Sequence, residues 1–321
     1  MAQHWTIDQV PDLTGKTAII TGANSGLGYE TAKGLGRKGA YVVMACRDVA
    51  KGAEAAAMLQ REYLAGSFVV EALDLADLGS VRQFATTFVQ RFTALDILCN
   101  NAGVMHLPMR QTADGFEMQF GTNHLGHFAL TGLLLPVILR TPQARVVTMS
   151  SVLHRSGKID FADLQGRTSY NSQRAYGQSK LANLLFAYEL QRKFEAHGIA
   201  AISVAAHPGY AATNLQLAGP QMAGSRLRTG MMTVANRVLA QSAARGALPI
   251  IYAATAPDVQ GGEYFGPDGF MEMRGSPAKV HSSARSYDRV VAEQLWRVSE
   301  ELTGVQYETI LDRTPRGAPL A

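Results

Sequence analysis

Cysteine is scarce. Cys46 and Cys99 are the only two in 321 residues, and no Cys-x-x-Cys pair occurs, which excludes a disulfide framework and a cysteine zinc site. Charge is sparse as well, at 17% of residues with a net charge of +4. The basic residues are scattered, so no nucleic-acid partner is indicated. No apolar run reaches the ~20 residues of a membrane span. The longest, Phe128 to Leu139, is interrupted by Thr131, Gly132 and Pro136. The first residues show neither a charged region nor an apolar stretch, so no signal peptide is expected, and the expectation is a soluble cytoplasmic protein. No repeat of solenoid period occurs. His124 and His127 stand three apart but have no third ligand nearby in sequence, so packing is expected of them and no metal site. What is abundant is apolar material, 47% of residues, enough for a full core and too much for a disordered chain.

Short β-rich runs alternate with longer helical ones. Thr17–Thr21 reads as a strand, followed by a glycine-rich turn and a helix to about Lys38. Tyr41–Ala45 precedes an alanine-rich helix, Val49–Leu64. Phe68–Leu73 leads to a helix near Ser80–Arg91, and Asp96–Cys99 to a helix spanning about Phe116 to Leu139. Arg145–Met149 leads through a loop to the helix Tyr176–His197, and Ala201–Ala205 is one more strand. Strand then helix, repeated, predicts βαβ units and a parallel sheet. Apolar runs bounded by turn signals fit strands buried on both faces. The expected fold is α/β, a doubly wound Rossmann-type parallel sheet with helices on both faces, in a single domain over 1–311. The stretch 208–240 is long for a plain connection and is expected to act as a substrate lid. Its Met-containing parts, Leu215–Met222 and Met231–Val238, fit either a pocket lining or helix core. The tail 312–321, with two prolines, is expected to be disordered.

The turn after the first strand reads Thr21-Gly22-Ala23-Asn24-Ser25-Gly26-Leu27-Gly28. A strand before it and a helix after it are the context a dinucleotide-binding turn requires. Gly22 permits the tight turn, Gly26 lets the backbone approach a pyrophosphate at the helix N-terminus, and Gly28 allows close helix–strand packing. The second strand ends in Cys46 and Arg47. An acid there would suit a free ribose 2′-hydroxyl, whereas Arg suits a 2′-phosphate, so NADP(H) is expected over NAD(H). Asp48 fits two roles, capping the next helix or holding the ribose.

Ser151 follows the strand Arg145–Met149, and Tyr176 and Lys180 stand four apart, on one helix face. Bringing a tyrosine from its usual pKa near 10 down to neutrality takes about 4 kcal/mol. One cation at about 4 Å supplies roughly that at an effective dielectric near 20, and Lys180 one turn away, helped by a nicotinamide cation, makes the shift plausible. Tyr176 thus reads as a general acid/base and Ser151 as a hydrogen-bond partner of a substrate oxygen. Tyr29 and Lys33 share the same spacing but follow no strand-end serine, and read as structural.

Together these motifs resemble the short-chain dehydrogenase/reductase family. The glycine turn, Asn100-Asn101-Ala102-Gly103, Ser151, Tyr176 with Lys180, and His207-Pro208-Gly209 occur in the family's order across about Gly15 to Thr213. The resemblance is nearer still to the branch of retinol dehydrogenases and WW-domain oxidoreductases. It is carried by Ala45-Cys46-Arg47-Asp48, Ser150-Ser151-Val152-Leu153-His154, Asp163-Leu164-Gln165, Ser179-Lys180-Leu181-Ala182-Asn183 and the long gap from Ser151 to Tyr176.

The resemblance implies a catalytic set of Ser151, Tyr176, Lys180 and Asn123, with Lys180 on the nicotinamide ribose and Asn123 supporting a proton-relay water. It also implies that Gly22, Asn24, Ser25, Gly26, Leu27 and Gly28, with Arg47, Asp74, Leu75, Asn101, Ala102 and Gly103, line the adenosine side. Tyr176, Lys180, Pro208, Gly209 and Thr213 would lie at the nicotinamide. The implied activity is NADP(H)-dependent interconversion of a small hydrophobic carbonyl compound and its alcohol. The alternatives are a non-catalytic NADP-binding redox sensor, a sugar-nucleotide epimerase or dehydratase, and a protochlorophyllide reductase-like enzyme, whose active-site cysteine has no match here. Family members often assemble as homodimers or homotetramers through helix pairs.

Overall fold

The structure, a computed structural model, describes residues 5–63, 65–211 and 241–312. Strands and helices alternate from the start: β1 (Thr17–Thr21), α1 (Gly26–Gly36), β2 (Tyr41–Cys46), α2 (Val49–Glu62), β3 (Ser67–Ala72), α3 (Leu78–Arg91) and β4 (Ile97–Asn100). A short α4 (Met118–Phe120) runs through a π-helical turn, Gly121–Leu125, into α5 (Gly126–Ile138). Then follow β5 (Arg145–Met149), a 3-10 turn at Val152–Ser156, α6 (Ser172–Ala196), β6 (Ile202–Ala206), α7 (Ala243–Thr255), β7 (Tyr264–Pro267), β8 (Pro277–Lys279), α8 (Arg289–Thr303) and α9 (Glu308–Leu311).

The eight strands form one sheet in the order β3-β2-β1-β4-β5-β6-β7-β8. All pairings are parallel except that of β7 with β8. Side chains of successive strand residues point to opposite faces, and the core divides accordingly. Ala18, Ile20, Val42, Met44, Cys99 and Val147 pack with α1, α2 and α7. Ile19, Val43, Ala45, Leu98 and Val146 pack with α3, α5 and α6. Both faces are covered, which is why the strands read as continuous apolar runs rather than alternating ones.

The strand order reverses between β1 and β4, which lie side by side. The crevice outside the carboxyl ends of such strands is where doubly wound sheets bind ligands.

Several sequence expectations shift. The helix expected over Phe116 to Leu139 starts at Met118 and carries the π-helical turn. The helix expected from Tyr176 starts a turn earlier, at Ser172, where the Asn171 side chain accepts from the Gln173 and Arg174 amides. β7, β8, α7 and α8 add to the expected pattern. In α8, Ala292, Leu295, Trp296, Ser299 and Thr303 form one buried stripe, and Trp296 meets Phe128 of α5 and Phe186 of α6 edge-on and stacked. The expected lid 208–240 lies outside the described residues from 212 onward, and so do the two Met-containing stretches. Its flanks are joined, because Ala211 and Gln241 pair as a parallel bridge. The expected tail, apart from Asp312, is outside too. No described helix is long and apolar enough to cross a membrane.

Candidate active site

The crevice at the switch point has a volume of about 370 Å³, within the range of ligand sites. One end is built almost wholly from backbone. Gly22 and Gly26 adopt left-handed φ of 68° and 55°. A Cβ on Gly28 would lie 2.3 Å from the Gly22 carbonyl oxygen and 2.7 Å from Asn101 Nδ2, so only glycine lets α1 sit against β1. Ser25 caps α1 without a side-chain bond, which leaves the first-turn N–H groups facing the crevice as an anion site.

Thr21 holds this end to the next loop. Its Oγ1 accepts from the Asn101 and Ala102 amides, both at 2.9 Å, and Asn101 Nδ2 donates to the Thr21 carbonyl at 2.8 Å. Thr21 Oγ1 also lies 2.9 Å from His127 Nε2, while His127 Nδ1 lies 3.0 Å from the Asn123 carbonyl oxygen. With both amides donating to it, Thr21 gives its own proton to Nε2, and Nδ1–H donates to Asn123. Burial pushes the His127 pKa down to about 4, so the ring is neutral and this tautomer fits every partner. His127 is therefore more than filler. His124 packs among Phe120, Phe128 and Phe186 and meets Ser299 at 2.9 Å.

At the tip of β2 the crevice is lined by Arg47, Asp48 and Lys51, with Asp74 and Leu75 opposite. Asp48 resolves to the capping role: its carboxylate accepts from the Lys51 amide at 3.1 Å and pairs with Lys51 Nζ at 2.8 Å. Arg47 has no ion pair among the described residues, so this end presents a free guanidinium and no free acid on the same strand tip. Lys51 was missed in the sequence. Its signal was its place one turn into α2, beside Arg47.

The other end is built from side chains. Tyr176 and Lys180 come from α6, and both are almost fully buried. Lys180 Nζ donates to the Met149 carbonyl at 3.2 Å and stands 5.7 Å from the centre of the Tyr176 ring. Ser151 stands near enough to the phenol to oppose its raised pKa, and its Oγ accepts from the Leu153 amide at 3.2 Å. Burial pushes Tyr176 up to about 12, with Ser151 opposing, and pushes Lys180 down to about 8. The expected lowering of the phenol joined Lys180 to a nicotinamide cation; in the chain by itself the direction is upward. Within the chain desolvation outweighs the opposing effect of Ser151, and the Tyr176 phenol is protonated at neutral pH.

Asn123 lies in the π-helical turn, a feature frequent at functional sites. Its Oδ1 accepts from the Val104 amide at 2.8 Å, and its Nδ2 donates to the Val104 carbonyl and to Ser179 Oγ, each at 2.9 Å. Its side chain thus joins the loop after β4 to α6. A Cβ on Gly103 would come 3.1 Å from Asn123 Oδ1 and 3.5 Å from Lys180 Nζ. Ser179 and Asn183, whose Nδ2 donates to the Met149 carbonyl at 2.8 Å, are supports the sequence reading missed.

The crevice thus brings together Gly22, Asn24, Ser25, Gly26, Leu27, Gly28, Arg47, Asp74, Leu75, Asn101, Ala102, Gly103, Tyr176, Lys180 and Pro208. Ser151 and Asn123 are not in the lining itself: Ser151 follows the lining residue Ser150, and Asn123 is bonded to the lining residue Val104. Gly209 flanks Pro208 with φ 63°, and Thr213 lies outside the described residues. Tyr29 and Lys33 are elsewhere. Lys33 pairs with Glu62 at 3.4 Å and faces the Tyr63 ring, a structural role.

The short chain dehydrogenase family pattern matches residues 16–222. The chain belongs to this family. It is 42% identical to mouse retinol dehydrogenase 14 over 303 residues, covering 91% of this chain and 86% of that protein. To human retinol dehydrogenase 13 it is 39% identical over 304 residues, covering 94% and 88%. A crystal structure of a protein from Mycobacterium paratuberculosis superposes with a TM-score of 0.77 at 42% identity, covering 95% of this chain and 99% of that one. The RhlG/NADP active-site complex of Pseudomonas aeruginosa shares the fold, with a TM-score of 0.60 at 24% identity over 79% of this chain and 94% of that one. The chain is accordingly an oxidoreductase of the short-chain dehydrogenase family, a family that works with a nicotinamide cofactor. The residues fit such a group: a glycine cradle that a Cβ would fill, an open helix N-terminus, and an unpaired Arg47 at the far end.

Proposed function

We propose that this oxidoreductase uses NADP(H) to interconvert a hydrophobic carbonyl compound and its alcohol, working at neutral pH chiefly as a carbonyl reductase. One observation carries the reading. A buried, protonated phenol, with a serine hydroxyl nearby and a buried lysine beside its ring, closes one end of a crevice whose other end is a glycine-rich cradle.

The glycine turn and the α1 N-terminus hold the pyrophosphate, Asp74 and Leu75 flank the adenine, and Arg47 with Lys51 takes the 2′-phosphate. Asn101, Ala102 and Gly103 would line the adenosine side, and Pro208 and Gly209 the nicotinamide end. When bound, the cofactor supplies the hydride. The chain's residues do the rest. Ser151 Oγ–H orients the substrate oxygen, and the Tyr176 phenol delivers its proton to that oxygen. The Lys180 ammonium holds the ribose hydroxyls and stabilises the negative charge left on Tyr176 Oη. Lys180 and the carbonyl of Asn123, fixed by His127, lead a replacement proton inward through water. The relatives named retinol dehydrogenases favour a long apolar aldehyde such as a retinoid.

The test is NADPH and NADH consumption by the purified chain with all-trans-retinaldehyde and a panel of aliphatic and aromatic aldehydes and ketones. Turnover with NADPH at several-fold higher kcat/KM than with NADH is the expected result. Tight NADPH binding without consumption across the panel would overturn the reading in favour of a redox sensor.

A further inference from the structure

Ser151 and the Pro208–Gly209 turn leave neighbouring strands, β5 and β6, whose last link is the Ser150 amide donating to the Ala206 carbonyl at 2.8 Å; beyond it the two segments diverge into a 3-10 turn and a loop. A third segment joins them. The loop joining β7 to β8 closes on itself through the Asp268 amide to the Ser276 carbonyl and the Gly269 amide to the Arg274 carbonyl, both at 2.9 Å. At its tip Met271 and Glu272 adopt left-handed φ of 52° and 56°. A plain two-strand connection with that geometry would call for Asn or Gly. Here the conformation turns Phe270 and Met271 out to solvent and turns the Glu272 carboxylate inward.

That carboxylate bridges both segments. Its Oε1 accepts from Arg155 Nη2 at 2.8 Å, and its Oε2 stands 3.1 Å from His207 Nε2. Arg155 lies in the 3-10 turn begun by Ser151, and the neighbouring His154 Nδ1 lies 2.6 Å from the Ser151 carbonyl oxygen. His207 is fully buried and precedes Pro208. Its Nδ1 accepts from the Gly209 amide at 3.2 Å, so Nε2 carries the proton; it touches Glu272 Oε2 at 3.1 Å as a close polar contact, without hydrogen-bond alignment. The ring fits only because Gly266 has no side chain, since a Cβ there would lie 2.0 Å from His207 Nε2. The same loop grips the turn through its backbone: the Tyr210 amide donates to the Met273 carbonyl at 2.9 Å, and a Cβ on Gly209 would lie 2.5 Å from that oxygen.

We propose that Glu272 is a positioning residue that clamps the Ser151 segment to the His207–Pro208–Gly209 turn and so sets the gap between the substrate-orienting hydroxyl and the nicotinamide wall. It deepens the proposed function and rests on it for its catalytic consequence, but not for the clamp itself. His207 and then Arg155 hold the Glu272 carboxyl below the usual carboxylate range, which keeps the bridging oxygen atoms ionised. Misplacement by a fraction of an ångström at such a gap is costly, because reacting groups must meet within a narrow range of distance and angle.

The experiment uses the full-length chain and Glu272→Gln, which keeps the volume and removes the charge. Arg155→Met, which leaves the carboxylate facing His207, serves as the second variant should the first fail to fold. Amide hydrogen exchange is expected to speed up together in 151–157 and 207–211 and to stay unchanged in 21–28. NADPH affinity, read from nicotinamide fluorescence, is expected to hold within about twofold, while kcat falls about tenfold. The primary isotope effect with 4-deuterated NADPH should rise as the chemical step becomes limiting. Unchanged exchange in either segment would overturn the clamp. So would a fall in kcat that only tracks lost active-site titre with an unchanged isotope effect. A wild type that binds NADPH but reduces nothing sinks the proposed function instead, and the exchange arm still decides the clamp.

Discussion

The two ends of the crevice are made of different material. The cofactor end is backbone: two left-handed glycines, a third pressed against a carbonyl, and an open helix N-terminus, all within Gly22 to Gly28. The reaction end is side chains from distant parts of the chain, with Asn123, Ser151, Tyr176 and Lys180 backed by His207 and Glu272. Backbone recognition needs only local spacing. Side-chain chemistry needs long-range supports, of which the Arg155–Glu272 bond joins residues 117 apart in sequence. Binding and chemistry should therefore be separable by mutation.

The largest expected effect is at Lys180. Lys180→Met should lower kcat by about a thousandfold and leave NADPH binding weakened but measurable. It should not lower the thermal midpoint. Burial holds the folded-state pKa at about 8 against an ordinary 10.5, so a cost of about 3 kcal/mol is fully present below pH 8. That cost is relieved as pH rises from about 8 toward 10.5, where the unfolded chain binds more protons than the folded one. The stability advantage of the variant should shrink over the same range, which denaturant titrations at several pH values would show. The Met149 carbonyl keeps its bond from Asn183, so no acceptor is orphaned. A variant that is less stable at pH 7 contradicts the burial argument.

Gly28→Ala breaks the opposite end. The added methyl meets the Gly22 carbonyl, and NADPH affinity should fall at least about a hundredfold, about 3 kcal/mol. Calorimetric titration checks it. Next in size is Arg47→Asp, which should raise the NADPH Kd about thirtyfold and the NADH Kd less than about threefold. Equal losses would remove the 2′-phosphate role. His127→Leu sharpens the comparison, because its ring joins Thr21 at one end to Asn123 at the other. It removes the ring's bonds to Thr21 and Asn123 and leaves the Thr21 hydroxyl only the longer contact to the Cys99 carbonyl, at 3.3 Å, and should cost about 1–3 kcal/mol of stability, read as a lower denaturation midpoint. An unchanged midpoint would make His127 filler after all.

How much of this was legible beforehand follows the same division. The glycine turn, Arg47 and the Tyr176–Lys180 pair are short-range patterns, and the structure brings them to one crevice. The doubly wound sheet was legible through β6, because runs such as Val42 to Ala45 are buried on both faces and have no other explanation. β7 and β8 were not, because Tyr264–Pro267 is short and contains Gly and Pro, which signal turns. The role of Asp48 could not be chosen from sequence, since a cap and a ribose ligand call for the same residue. The upward push of burial on the Tyr176 phenol was not legible, because spacing gives the neighbouring charge but not the depth of burial. Glu272 was invisible. Its importance arises from a loop conformation and a partner more than a hundred residues away.

The central claim is that the Tyr176 phenol transfers the proton in a site that holds the cofactor independently of it. Its most direct test is Tyr176→Phe, assayed for NADPH binding by nicotinamide fluorescence and for NADPH-dependent reduction of retinaldehyde in the same preparation. The account predicts a Kd within about twofold of wild type and a loss of turnover of at least about a thousandfold. Turnover within about tenfold of wild type at unchanged affinity would contradict it.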